Sequence, residues 1–434
     1  MPSGLRFLIA AKRCEITELQ QLALTSELVN ALGGLVHGLQ RERGLSNLFL
    51  GSRGTRWIAE REAQIALSDL LVREVRSLFT GMDTAAEPIR RHGARLYSRI
   101  AYVLQGLDAL PQLRHQVTTQ AWNHARATAA YIRLVRGLLA VVFEAADSAT
   151  DPDISRRLVA RFNFMQGKEF AGQERATGAA LFAGGRADAS GQQQLLHLIE
   201  SQERCFQVFS EFADGALLQA WHTAQSAKNR ASHERMRRVL CTAAQGAPLD
   251  EELSQCWFDT CTEAIDAMKT VEDLLSADLV ALCQQRVAAT AGDLQTYERL
   301  QENAAQTPRS PEHSTLGFFD ETKDERSHSM ALDRASPGFG QALDRSILEL
   351  VQEQALRLQS MSDELDSVRA SLNERKRIER AKGLLMAHRR LSEEEAHKTL
   401  RQMAMGQNRR LVDVAEAVLA MADVLPELPR QSQV

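Results

Sequence analysis

Proline is absent between Pro152 and Pro248 and again between Pro337 and Pro426, while apolar residues recur every three to four positions through both stretches. Proline lacks a backbone donor and clashes with the preceding helical turn, so long proline-free runs with a 3.6-residue period predict long amphipathic helices. Ala, Leu, Gln, Glu and Arg supply good helix formers, and aromatics make up only 5% of the chain, which leaves little material for a sheet. The expected fold is all-α. Helices are predicted over 24–50, 89–107, 118–146, 154–174, 191–213, 221–242 and 249–288, with breaks at Gly51–Gly54, Asp151–Pro152 and Gly184–Gly185. Long helices with short joins make a large antiparallel helical bundle, assigned to residues 15–300.

Residues 307–340 change character: Pro, Ser, Gly, His and mixed charge appear without periodicity, which reads as a flexible linker in which Phe318 and Phe319 could dock locally. The third block, 341–425, opens with Ile347, Val351, Gln354, Leu358, Met361, Leu365, Val368 and Leu372, spaced alternately by four and three. That heptad seam predicts a coiled-coil stem, with Gln354 fixing register. Two readings stay open: a self-pairing seam that makes the protein a homodimer, or one amphipathic helix lying on the large bundle. Beyond it, Ser392 and Glu395 have capping-box spacing, Gly406 is expected at a left-handed helix end, Asn408 can cap the next helix, and Pro426 ends it. The block therefore reads as a coiled-coil stem and a three-helix C-terminal domain.

Charge divides unevenly between these blocks. The whole chain carries a net −4, so it is neither a polycation nor an acidic solvating chain. Between Asn373 and Leu411, however, eleven Lys or Arg face five Glu, and eleven minus five gives +6. A basic patch that runs against the chain's net sign is the footprint of phosphate binding, although a solvated charged face has the same composition. Charge alone does not separate RNA from DNA. No aromatic residue lies in this tip, so arginine planes or Met405 would have to do the stacking that RNA bases require.

Catalytic and metal signatures are missing from the sequence. There is no HExxH, GxSxG or Gly-rich phosphate loop, and Gly167-Lys168 lacks the upstream glycine of a P-loop. The six cysteines form no CxxC pair and read as buried free thiols of a reducing compartment. No catalytic residue, metal or cofactor is expected. No apolar run approaches the ~20 residues of a membrane span, and a cytoplasmic protein is expected.

Arginine sits inside the apolar pattern at Arg43, Arg175, Arg237 and Arg238, with small residues beside the first two. A desolvated guanidinium needs an anion, and its planar fork fits an oxyanion. The competing reading is a helix-to-helix ion pair with Glu42 or Glu174.

Several runs resemble known modules. The stretch 377–386 (RIERAKGLLM), followed by Ala396, the run 400–405 (LRQMAM) and Val414-Ala415, resembles the ANTAR domain, an RNA-binding antiterminator module with a coiled-coil stem and a three-helix head. Membership implies binding of hairpins in a leader RNA. By position it implies Lys382, Arg401, Gln402, Met405 and Arg409 as RNA contacts, with Arg375 and Arg380 in support. The runs QRERGLSNLFL, FMQGKEFAGQERATGA and RMRRVLCT resemble the NIT domain, a nitrate- and nitrite-sensing helical bundle. That resemblance implies an anion held by Arg43, Arg175 and either Arg237 or Arg238. Together the two resemblances imply a nitrate- or nitrite-gated antiterminator that controls nitrate assimilation genes. A DNA-binding regulator and a non-catalytic dimeric scaffold remain the alternatives.

Overall fold

The computed structural model describes residues 4–84, 93–147, 149–225, 227–306, 339–389, 391 and 393–422. These residues form helices α1 (Gly4–Gly51), α2 (Ile58–Thr84), α3 (Gly93–Thr118), α4 (His124–Asp147), α5 (Pro152–Ala183), α6 (Ala189–Phe212), α7 (Gly215–Ala224), α8 (Ala227–Thr242), α9 (Leu253–Gln306), α10 (Phe339–Arg389), α11 (Glu393–Gln407) and α12 (Leu411–Ala422), with no strand among them. The all-α expectation holds. Helix starts carry the expected chemistry. Asp151 accepts from the Ile154 N–H ahead of Pro152, Asn123 accepts from Arg126, and Asp188 and Asp214 cap α6 and α7.

Some boundaries move. α1 starts far earlier than residue 15. The single helix predicted over 221–242 is two, because the cap at Asp214 starts a short α7 before α8. The predicted 118–146 helix is interrupted after Thr118, where Gln120 takes a positive φ of 54°. Gly406 lies within α11, and it is Asn408 that adopts the left-handed conformation, with φ 49°. The Arg409 N–H donates to the Ala404 carbonyl at 3.0 Å and Asn408 to Met405 at 3.3 Å, a Schellman closure in which Asn tolerates the conformation. The linker with Phe318 and Phe319, the side chains of Ile347 and Val351, Ser392 of the capping box, and Pro426 lie outside the described residues.

α1 also corrects the hydropathy reading: it contains a window long and apolar enough to cross a membrane by length and composition, and 67% of that window is buried inside the protein. A core helix of a large bundle is apolar all round for that reason. Of the six cysteines, all free, Cys205, Cys261 and Cys283 are buried while Cys14 and Cys256 are exposed.

The chain divides into two compact units. The first comprises Met1–Glu27, Thr150–Ile154 and Asp278–Leu365. Its core is Leu5, Leu8, Ile9 and Tyr297, against which Leu350 of α10 packs. Buried Lys12 is held there by Glu15 and Asp293, each at 3.0 Å. The second comprises Leu28–Ala149, Ser155–Ala277 and Asp366–Val434. In it α3 packs along α4, and Phe164, Phe209 and Trp221 form an edge-on aromatic cluster with Ile265 and Leu275. A second cluster surrounds Trp257 with Phe182, Leu195 and Leu240. At the C-terminus, Ala381 and Leu385 of α10, Ala396 and Leu400 of α11, and Val414, Ala415 and Val418 of α12 form the expected three-helix head.

The heptad seam is used within the chain. Val368 and Leu372 are buried against Val159 of α5, and Leu350 joins the first unit's core. Of the two readings left open, an amphipathic helix lying on the bundle describes these positions, because their apolar side chains find the bundle's own apolar residues. Leu358 remains half exposed.

Candidate anion site and nucleic-acid interface

Two helices bring together two of the arginines expected to hold the anion. α1 places Arg43 beside Gly44, and α5 places Arg175 one turn beyond Gly172. The arrangement is reciprocal. A Cβ built at Gly172 would stand 2.7 Å from an Arg43 Nη, and one at Gly44 would stand 2.9 Å from an Arg175 Nη. Each guanidinium thus occupies the space over the other helix's glycine, which explains why small residues are needed there.

Arg43 is 1% exposed and clamps the carboxylate of Glu169 on α5, at 2.5 and 3.3 Å. Glu169 also accepts from Gln40 at 2.8 Å and Gln173 at 2.9 Å. The expected rival partner, Glu42, is elsewhere: it receives two hydrogen bonds from Arg114, at 2.8 and 2.9 Å, and one from Tyr131 at 2.7 Å.

Arg175 is matched differently. It donates to Thr262 Oγ1 at 2.9 Å and lies 4.7 Å from the centre of the Phe258 ring, both on α9. No carboxylate lies within ion-pair distance of it among the described residues. Burial, and then the positive charge of Arg43, pull its pKa down to about 10. Its neighbour Glu174, the other rival partner, is taken by Arg237 of α8, whose guanidinium grips it at 2.6 and 2.7 Å. His233 lies 3.3 Å from the same carboxylate. Although burial pushes the Glu174 carboxyl up, His233 and Arg237 hold it well below the usual range.

Of the four arginines named from sequence, three lie in this region and one does not. Arg238 is exposed, because it follows Arg237 by one residue and turns about 100° away on the helix. Arg237 is already neutralised by Glu174. Arg43, Arg175 and Glu169 leave a local charge of +1, and a site with every arginine matched would have held no excess. Two buried polar atoms one and two turns before Arg43, Gln40 Oε1 and His37 Nδ1, have no hydrogen-bond partner. Sequence reasoning missed Glu169 and Thr262. Glu169 stands inside the quoted run, but nothing in the run points it at a residue 126 positions away. No cluster of three His, Cys, Asp or Glu that could hold a metal occurs among the described residues.

The basic residues of the C-terminal block divide into covered and open sets. Arg375 donates to Asn163 Oδ1 at 3.0 Å and stacks 4.8 Å from the Phe162 ring centre, both on α5. Lys376, not singled out from sequence, reaches Asp147 at 2.5 Å. Arg401 reaches Glu200 of α6 at 2.5 Å. Next to it, His397 packs on His197, with ring centres 5.0 Å apart, and its Nε2 lies 3.3 Å from Arg204. Lys382 is buried and donates to Glu379 at 2.7 Å. Arg380, Gln402, Met405 and Arg409 are exposed, Met405 by 71%. So the head is seated on the bundle by Arg375 and Arg401; of its other candidate RNA residues, Arg380, Gln402, Met405 and Arg409 point to solvent, whereas Lys382, expected as an RNA contact, is buried and paired within its own helix.

Comparison with known proteins follows this division. Residues 34–280 match the family described as nitrate and nitrite sensing (NIT), and residues 366–419 match the ANTAR domain. The chain is 35% identical over 432 residues to the nitrate regulatory protein of Klebsiella oxytoca, across 99% of this chain and 98% of that protein. It is also similar to a solved structure titled as that of the NasR transcription antiterminator, with 32% identity, a TM-score of 0.59, and coverage of 98% of this chain and 100% of that one.

Proposed function

This chain belongs to the family of nitrate-responsive transcription antiterminators that join a NIT sensor to an ANTAR RNA-binding domain, and from that premise we propose how its own residues sense and respond. Nitrate or nitrite sits between Arg43 and Arg175. The observation that carries this reading is the buried Arg175 guanidinium, which has no carboxylate of its own beside an Arg43 that has one. One monovalent planar oxyanion brings the site from +1 to neutrality and offers oxygens to both forks. Arg237 acts at one remove: it neutralises the buried Glu174 carboxylate, which then adds no negative charge beside the site.

Without the anion, the head is held against the bundle through Arg375, Arg401, Val368 and Leu372, and part of its RNA face is covered. The anion binds a second arrangement of the bundle better and shifts the population toward it, exposing the face to hairpins of a leader RNA. A change from 1:99 to 99:1 needs about 5.5 kcal/mol of differential affinity, which a small ion supplies only from a dry site with two guanidiniums. The protein acts in the cytoplasm on nitrate assimilation genes, without catalysis and with no cofactor beyond the signal ion. It works as a homodimer, for which Leu356 and Leu358, exposed on α10, offer apolar surface.

The test is binding of leader RNA by the full chain, with and without nitrate, in wild type and Arg175→Ala. Wild type should bind more tightly with nitrate, and the variant should not respond. A variant that responds as wild type does removes Arg175 from the site.

A further inference from the structure

Glu169 sets the charge of the anion site, and its position suggests a role beyond holding Arg43. Its carboxylate is 2% exposed and saturated by Arg43, Gln40 and Gln173. Among the adjacent charges, Lys168 pairs with Glu272 and Arg237 with Glu174, while the buried Arg161, which donates to Asn30 and the Val29 carbonyl, stands two turns further back on α5. Burial, and then the charge of Lys168, hold the His37 imidazole down to about 3, so it adds no charge at neutral pH. Asp266 is exposed, where water screens it. The excess on Arg43, Arg175 and Glu169 is therefore one positive charge.

An excess of one suits one class of ligand. A monovalent oxyanion leaves the buried cluster neutral, whereas a dianion would leave an unpaired negative charge in a dry interior, which is costly. We infer that Glu169 is the specificity-determining residue that limits this site to monovalent oxyanions and excludes dianions such as sulfate. The inference rests on the anion-binding reading above and goes beyond it, since two arginines alone would favour the dianion.

The physics gives a quantitative signature. The Coulomb repulsion between Glu169 and a bound anion is proportional to the anion's charge. Each anion's own dehydration cost is the same in wild type and variant, and it cancels in the comparison. If Glu169→Gln tightens nitrate by some factor, it tightens sulfate by about the square of that factor.

The experiment is calorimetry on the full chain with nitrate and with sulfate, in wild type, Glu169→Gln, Glu169→Asp and Gln173→Glu, with helix content checked by circular dichroism. Wild type should bind nitrate at least about a hundredfold more tightly than sulfate. Glu169→Gln should tighten nitrate about tenfold and sulfate about a hundredfold, narrowing the ratio. Glu169→Asp, which keeps the charge, should keep the wild-type ratio. Gln173→Glu adds a carboxylate at a half-buried position beside Glu169, and should weaken both anions and widen the ratio. It provides the reading if Glu169→Gln does not fold. A nitrate-to-sulfate ratio unchanged in the folded charge variants overturns the inference, as does loss of the ratio in Glu169→Asp. Wild-type protein that binds no nitrate would instead defeat the anion-site reading on which this one stands.

Discussion

Adding one methyl group at Gly172 tests the geometry of the sensor most directly. The new Cβ would stand 2.7 Å from the Arg43 Nη that lies 3.3 Å from Glu169 Oε2. Ordinary contact needs roughly 3.5–4.0 Å, so that end of the guanidinium must move by about 1 Å. A shift of that size breaks the longer of the two Arg43–Glu169 contacts and spares the other, at 2.5 Å. Losing one charge-assisted hydrogen bond costs about 1.5–3 kcal/mol. Alanine in place of a mid-helix glycine returns about 0.5–1 kcal/mol. The net effect on folding is then a loss of about 0.5–2.5 kcal/mol, read by thermal or denaturant unfolding. The same displaced Nη belongs to one of the two guanidiniums proposed to hold the anion. Nitrate affinity measured by calorimetry on the full chain should therefore fall roughly ten- to a hundredfold. Gly44→Ala should weaken nitrate binding likewise, through Arg175, at 2.9 Å from the added Cβ. A Gly172→Ala protein that is more stable than wild type and binds nitrate within twofold of it would refute the reasoning, because Arg43 would then not fill the space over Gly172.

Other outcomes follow from the same contacts. Gly178→Ala would drive a methyl into the indole of Trp257, which is fully buried and anchored by its Nε1–H to the Arg175 carbonyl at 3.0 Å. That ring cannot swing away as Arg43 can, so a lower melting temperature from about 1–3 kcal/mol of overpacking is expected. Leu372→Ala removes apolar burial against Val159 at about 2–5 kcal/mol and should raise nitrate-independent RNA binding more than tenfold. Glu200→Ala, at an ion pair in which both partners are about half exposed, should change it less than about fivefold. Acid should release the head. Burial, and then the charge of Arg204, with His197, Lys382 and Arg401 adding to it, depress the His397 pKa to about 3 in the seated head. A group charged more easily when released favours release as pH falls below its ordinary value of about 6.5. RNA binding without nitrate, measured from pH 7.5 to 5.5, should rise toward the acid end in wild type and less so in His397→Gln; identical profiles would exclude His397 as the cause.

Much of the architecture was legible before any coordinates. Periodicity and the absence of proline gave the helices, and apolar spacing in 378–419 gave the faces that meet in the head: Ala381, Leu385, Ala396, Leu400, Ala415 and Val418. These signals are local, because the residues that share a helix face are three or four positions apart and the sequence displays them side by side. The basic excess in 373–411 and the arginines within apolar pattern were visible for the same reason.

Which charge meets which was not. Adjacent residues on a helix point about 100° apart, so Glu42 cannot fold back on Arg43 nor Glu174 on Arg175, and of Arg237 and Arg238 only one can face inward. That rule excludes the near partners without naming the far ones. Glu169 for Arg43, Arg114 for Glu42, Arg237 for Glu174 and Thr262 for Arg175 come from other helices. The destination of the heptad seam was likewise open, since an apolar stripe looks the same whether it meets a second copy or Val159 of its own chain. Sequence determined which faces exist; the rotation and crossing of whole helices, settled only when the core packs, decided what each face meets and left one positive charge unmatched at Arg175.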